Sequence, residues 1–267
     1  NQYYILTKKA SDIAVNQWEV NLSTYKDSDF PKLDRVELPI SLINEKIWNK
    51  FKHGTVIKLN NVDLRRNGEK KIESLITERT VAILPVHVYG NLCNVEEIKR
   101  IADKYNLKVI YDAAHAFGVT YKGIGIGNYG DASIFSFHAT KVYNTIEGGA
   151  VTFQDLRLYE KLYNLKNFGI RGEEWVCEVG ANGKMNEFCA IMGLLNLKRA
   201  EYVTGERKKR FQRYREHLKD MQGVRILLQE REEDGNYGYF PILIGEGHAK
   251  TRDEVYEVLK VHDIYAR

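Results

Sequence analysis

Read for where apolar residues recur, the chain separates into an indistinct front and a clearly patterned remainder. Over residues 1–69 the pattern is weak: Val36–Ile40 and Thr55–Leu59 suggest short strands, and Ser41–Phe51 has a faint helical spacing through Ile43, Ile47, Trp48 and Phe51. From residue 70 the signal sharpens. Glu69–Ile76 predicts a short helix, and Thr80–Val86 a strand apolar on both faces. Asn94 followed by Glu97 is a capping box. It opens a helix with Val95, Ile98, Ile101, Ala102 and Tyr105 on one side, ended by Asn106. Leu107–Tyr111 is the next strand, stopping at Asp112.

Strand, helix, strand at this spacing is a βαβ unit with a parallel sheet, and ligands of such sheets sit at the carboxyl ends of the strands. His87 and Asp112 both fall there. Further strands are expected at Ala132–Phe135 and Ala150–Phe153, and a helix over Asp155–Leu165. Residues 186–221 form the longest helical stretch. Its first half (Phe188, Ile191, Met192, Leu194, Leu195, Leu197) is apolar enough to be buried or at an interface, and Thr204-Gly205 marks a candidate bend. Its second half carries Arg207, Lys208, Lys209, Arg210 and Arg213, which read as a solvated face rather than an anion site. Tyr237–Ile244 predicts a strand, and Thr251 with Glu254 caps a last helix.

Composition narrows the class. The 267 residues are 43% hydrophobic and 28% charged, ordinary for a globular protein of one large domain or two small ones. A formal charge of +4 demands neither nucleic acid nor membrane and suits small anionic substrates. Cys93, Cys177 and Cys189 lie far apart, with no CxxC pair, so neither a disulfide framework nor a zinc site is expected, and a cytoplasmic location is. No signal peptide and no membrane span is read, and His87 has no second ligand at metal-binding spacing. The Gly123, Gly125, Gly127 run reads as a turn, since no strand–loop–helix context surrounds it.

Candidate chemistry centres on two residues. Asp112 ends an apolar strand, where a carboxylate needs a charged or hydrogen-bonding partner. A helix cap or metal ligand and a carboxylate that holds a pyridinium nitrogen protonated explain it equally well. Lys141 follows Ser136-Phe137-His138-Ala139-Thr140 after a strand, and desolvated lysines are Schiff-base formers. The order strand, Asp112, strand, Ser136, Lys141, then Glu147-Gly148-Gly149-Ala150, is what lifts that lysine above the others. Ser136 can donate to a phosphate, and the glycines allow close backbone approach.

Five segments in order resemble the DegT/DnrJ/EryC1/StrS sugar aminotransferases. They are Pro85–Gly90, Tyr111–Gly118, Gly130–Lys141, Glu147–Ala150 and Gly180–Glu187. The resemblance covers about residues 70–267. It implies an α/β fold: a three-layer α/β/α, mostly parallel sheet of the fold-type I pyridoxal-phosphate (PLP) kind, with part of a smaller C-terminal α/β domain. Residues 1–69 are then an unassigned front, 70–203 the cofactor-binding domain, and 204–267 the partial small domain. It further implies pyridoxal 5'-phosphate as cofactor, held by Lys141 as a Schiff base, and Asp112 on the pyridine nitrogen. His115 would stand near the phenolic oxygen, where the family more often has Gln. Ser136 would bind the phosphate, and Asn182 would reach the site of a neighbouring subunit in a homodimer. The implied reaction moves an amino group, from glutamate, onto a nucleotide-linked keto-deoxysugar. Lys141 argues against the related dehydratases, which carry histidine there.

Two departures accompany the match. The Ser-Gly-Thr type turn that cradles phosphate, and the aromatic segment that stacks on the ring, are not found in residues 1–69, and the family continues past the equivalent of Arg267. A truncated or degenerate, non-catalytic member of the same fold is therefore the alternative. A PLP enzyme acting on amino acids is a third reading.

Overall fold

The computed structural model describes residues 68–227 and 235–266, preceded by the strand backbones β1 (Gln2–Thr7), β2 (Val15–Asn21), β3 (Ile40–Ile43) and β4 (Thr55–Leu59). β1, β2 and β3 form a separate antiparallel sheet. The helical spacing read over Ser41–Phe51 is thus corrected at its start, because Ser41, Leu42 and Ile43 pair with Gln17, Asn16 and Val15 as a strand. Positions 36–39 and 44–51 lie outside the described residues.

The sheet that carries the site contains β5 (Thr80–Pro85), β6 (Lys108–Asp112), β9 (Ala132–Ser136) and β10 (Gly149–Phe153) beside β4. Its order is β10-β9-β6-β5-β4. β4, β5, β6 and β9 are parallel, so the carboxyl ends of β5, β6 and β9 share one edge. β10 returns antiparallel at the border, pairing Gly149 with Ser136, which brings the Glu147–Gly149 turn to that same edge. Between β6 and β9 the chain makes a small hairpin, β7 (Thr120–Tyr121) with β8 (Ile124–Gly125), at the glycine run expected to be a turn.

Helices α1 (Gly68–Leu75) and α2 (Val95–Tyr105) cover one sheet face. α2 starts where the sequence indicates: Asn94 Oδ1 accepts the Glu97 amide. The Glu97 carboxylate does not complete a capping box; it accepts from Arg100 on the next turn. Val95, Ile98, Ile101 and Ala102 are buried with Ile72, Ile83, Val109 and Tyr111, while Tyr105 stays partly in solvent. Truncating Ile101, fully buried, to alanine is the kind of change that costs about 2–5 kcal/mol. The other face is less covered, with the paired Ile134 and Val151 exposed.

α3 (Leu158–Lys166) begins three residues later than expected. The long helical stretch is two helices, α4 (Glu187–Leu197) and α5 (Ala200–Leu218). The break falls at Lys198-Arg199 and not at Thr204-Gly205, which lies inside α5. Gly205 meets nothing within 4 Å where a Cβ would sit, so no packing forces a bend there. In α5 Lys209 and Arg210 are solvated and pair with Glu206, Lys208 lies over the Tyr237 ring, and Phe211 is buried against Tyr237 and Phe240. The strand read over Tyr237–Ile244 shortens to β12 (Ile242–Ile244), paired with β11 (Val224–Ile226). α6 (Arg252–Val261) has the full capping box between Thr251 and Glu254.

His87 shows what the strand edge does to a titratable side chain. It is fully buried, its Nδ1 accepts the Cys93 amide at 3.1 Å, and its ring stacks on Tyr111 at 4.6 Å. Its Nε2 has no hydrogen-bond partner. Burial pushes the imidazole down to about 4 and the neighbouring Cys93 thiol, which donates to the Val86 carbonyl, up to about 12. An unfolded histidine takes its proton near pH 6.5. Between there and pH 4 the unfolded chain binds more protons than the folded one, so stability falls as pH falls. His87 alone accounts for a loss of about 3 kcal/mol across that window. Urea midpoints at pH 7 and pH 4.5 measure it. The His87→Asn protein, whose side-chain oxygen can still accept from Cys93, is expected to lose most of that slope.

Candidate active site

The site is built from the segments that leave the shared sheet edge. After β6, the turn Ala113–Gly118 folds back on itself, with the Ala116 amide donating to the Ala113 carbonyl. Asp112 Oδ1 accepts the Ala114 amide at 3.1 Å, which fixes the carboxylate at the mouth of the turn and leaves its second oxygen for another donor. The Asp112 carbonyl accepts the His87 amide, so the ends of β5 and β6 stay zipped together.

The preceding turn, Val88–Gly90, brings Tyr89 beside His115. Tyr89 holds a left-handed conformation (φ 58°, ψ 17°), uncommon for a residue with a side chain. Its amide donates to His115 Nδ1 at 3.0 Å. Gly90 is required next: a Cβ there would stand 3.0 Å from the His115 carbonyl oxygen, at φ +82°. Gly130 has a comparable role below the site, since a Cβ would meet the Val109 carbonyl and the Tyr111 ring at 2.9 Å. Asp131 beside it accepts the Val109 amide, so this part of the Gly130–Lys141 segment is structural.

Lys141 sits in a loop pinned at both ends. Its amide donates to the His138 carbonyl, and the Thr145 amide to the Phe137 carbonyl. Phe137 and Tyr143 pack edge to face, and Tyr143 stacks on Phe117 at 4.3 Å. This aromatic shelf turns Lys141 toward His115. Ala114, His115, Phe117, Lys141, Val142, Asn236 and Tyr239 line one cleft. Asp112 does not line the cleft, but its charge reaches the same ring: burial holds the His115 imidazole below its ordinary value, the Lys141 charge lowers it further, and the Asp112 charge opposes. Ammonium and carboxylate therefore act on the same ring.

Asn236 and Tyr239 were not singled out from the sequence. Asn236 is buried and donates to the carbonyls of His115 and Phe117, each at 2.9 Å, latching a segment more than a hundred residues away onto the Asp112 turn. Tyr239 then lies against His115 at 4.6 Å and against Tyr89 at 5.3 Å. No local pattern announces either residue, because only the tertiary fold brings them here.

Ser136 ends β9 at the same edge, its hydroxyl 3.4 Å from the His138 amide. Asn182 is not brought into the cleft. It is exposed in the loop before α4 and bridged through its backbone to Asn167. Among the described residues no cluster of His, Cys, Asp or Glu could hold a metal ion, and no helix is long and apolar enough to cross a membrane.

The donor set fits a phosphorylated aromatic aldehyde. It supplies an amine for the aldehyde, a carboxylate for a protonated ring nitrogen, an imidazole N–H for the phenolic oxygen and a hydroxyl for the phosphate. Width is the exception. With Tyr239 on His115 the cleft keeps about 10 Å³ of free volume, enough for a water and not for a ring. Admission of a ring therefore requires the Tyr239 or Lys141 side chain to swing aside.

The model of the DegT/DnrJ/EryC1/StrS aminotransferase family matches residues 66–267. The chain is 45% identical over 198 residues to a dTDP-4-amino-4,6-dideoxy-D-glucose transaminase of Shigella dysenteriae, covering 74% of this chain and 54% of that protein. It is 36% identical to a GDP-perosamine synthase of Caulobacter vibrioides, with coverage of 74% and 54%. Among solved structures, DesI in the presence of its TDP-sugar product matches with a TM-score of 0.68 and 37% identity, over 74% of this chain and 51% of that one. The chain spans about half the length of the relatives it matches.

Proposed function

Because the chain belongs to the DegT/DnrJ/EryC1/StrS aminotransferase family, we propose that it serves a pyridoxal-phosphate transaminase of nucleotide-linked keto-deoxysugars, with glutamate as amino donor and Lys141 as the residue that binds the cofactor. The observation that carries this reading is the meeting of Lys141 and His115 in one cleft at the carboxyl edge of a parallel sheet, with Asp112 ending the strand that leads into it.

When bound, pyridoxal phosphate supplies an aldehyde that condenses with amines and a ring that takes up the electron pair left when a carbon loses its proton. The protein's residues do the rest. Lys141 Nζ would hold the cofactor and, when free, would be the group placed to carry a proton. Asp112, anchored by the Ala114 amide through one oxygen, would offer the other to the ring nitrogen and favour a positive charge there. His115 would donate to the phenolic oxygen, and the Ser136 hydroxyl would bind phosphate. Phe117, Phe137 and Tyr143 pack on one another around the loop that carries Lys141.

A homodimer completes the proposal. α4 turns Phe188 (83% exposed), Leu194 (64%), Ile191 and Leu195 to solvent, and Trp175 and Val176 stand out nearby in sequence. An apolar surface of this extent marks an association site, and exposed Asn182 lies in the loop leading to it. Leu194→Asp is expected to leave the far-UV spectrum unchanged and to convert the dimer to monomer in sedimentation velocity. A wild-type chain that sediments as a monomer at tens of micromolar would remove the dimer from the proposal.

The function is tested by supplying dTDP-, GDP- and UDP-linked 4-keto-6-deoxysugars with glutamate and pyridoxal phosphate, and reading aminated product by mass. Formation of an amino sugar with matching 2-oxoglutarate supports the reading. Cofactor binding without turnover of any sugar, or no cofactor binding at all, supports the non-catalytic alternative.

A further inference from the structure

The Tyr89 amide lies 3.0 Å from His115 Nδ1 and can only donate to it. A nitrogen that accepts cannot carry a proton, so the neutral ring bears its hydrogen on Nε2. The ring is further held from two sides: Tyr239 packs on it, and Asn236 donates to its carbonyl. The backbone that makes the key bond is itself in a costly conformation, left-handed at Tyr89 and fitted closely at Gly90.

We infer that the Tyr89 main-chain amide is a positioning group that locks His115 as its Nε2–H tautomer, so that the cleft is offered a proton donor suited to an anionic oxygen, and that protonation of His115 unlocks the Tyr89–Gly90 turn. The ligand side of this inference, a phenolate or comparable oxyanion, rests on the proposed function; the tautomer and the turn do not. Imidazolium needs a proton on Nδ1, and that proton points at the Tyr89 amide hydrogen. The two donors repel, and the left-handed turn loses one of the contacts that hold it, the others being its own Gly90–His87 and Asn91–Val88 backbone bonds. The groups that face the ring are Asp112 from its own turn, Lys141 from the loop after β9, and the phenols of Tyr89 and Tyr239. Of these the Asp112 charge alone favours imidazolium, and it is outweighed by burial and Lys141. Glutamine at this position, common in the family, can also donate but cannot be switched off by acid.

Nitrogen-15 correlation spectra of the histidine rings test this on the chain without cofactor. At pH 7.5 His115 is expected to show a bare Nδ1 and a protonated Nε2; a protonated Nδ1 would overturn the inference. On acidification the Tyr89 amide should exchange roughly tenfold faster than its intrinsic pH dependence allows, the value of about one hydrogen bond, in step with His115 titration. His115→Gln should abolish that step. Exchange at Tyr89 that ignores His115 titration in the wild type would sink the switch. Nε2–H with no cofactor trapped on Lys141 would leave the lock standing and remove only the enzymatic reading.

Discussion

Lys141→Ala protein is expected to lose transamination by a factor on the order of 10²–10⁴, the usual worth of a positioned acid–base group, while folding as the wild type does. Lys141 is half-buried, and the loop that carries it is fixed by backbone hydrogen bonds and by the packing of Phe137, Tyr143 and Phe117, none of which uses its amine. Removing the side chain therefore empties the cleft without loosening its walls. Lys141→Arg should fail equally, because a guanidinium stays protonated and is not a nucleophile. Single-turnover conversion of the sugar measures the loss. Activity within tenfold of wild type in both variants would contradict the role assigned to this lysine.

Asp112→Asn should follow closely, with a loss of about 10²–10³-fold in turnover. A neighbouring carboxylate shifts a cationic group's proton affinity by about 1–3 pKa units, and an amide supplies no such charge. Its folding cost is small for a specific reason: the oxygen that accepts the Ala114 amide survives in asparagine, and the bond to His87 uses the Asp112 backbone. The variant should still bind the cofactor. A pH-independent loss of binding with unchanged turnover would place Asp112 in a structural role instead.

Much of the sheet was legible because burial repeats along it. β4, β5, β6 and β9, and helix α2 with its Asn94 cap, follow directly from apolar spacing. The direction of β10 was not, since Gly149–Phe153 alternates alike in either sense and only its pairing with Ser136 settles it. The break at Lys198-Arg199 was missed because an apolar helix facing solvent has the same composition as one facing a core. Asp112, Ser136 and Lys141 were nominated from their order along the chain and His115 by the family resemblance, and the structure sets these candidates along one sheet edge. Asn236, Tyr239 and the Tyr89 amide were not readable. Two of them arrive from a distant segment, and the third acts through a backbone atom that every residue possesses.

The central claim is that one lysine amine holds an aromatic aldehyde. Incubating the chain with pyridoxal phosphate, reducing with borohydride and sequencing the digested peptides by mass tests it most directly. The account predicts a single irreversible adduct, on the peptide that contains Lys141, absent from the Lys141→Ala protein. An adduct spread over surface lysines, or one that persists at equal yield in that variant, would contradict it.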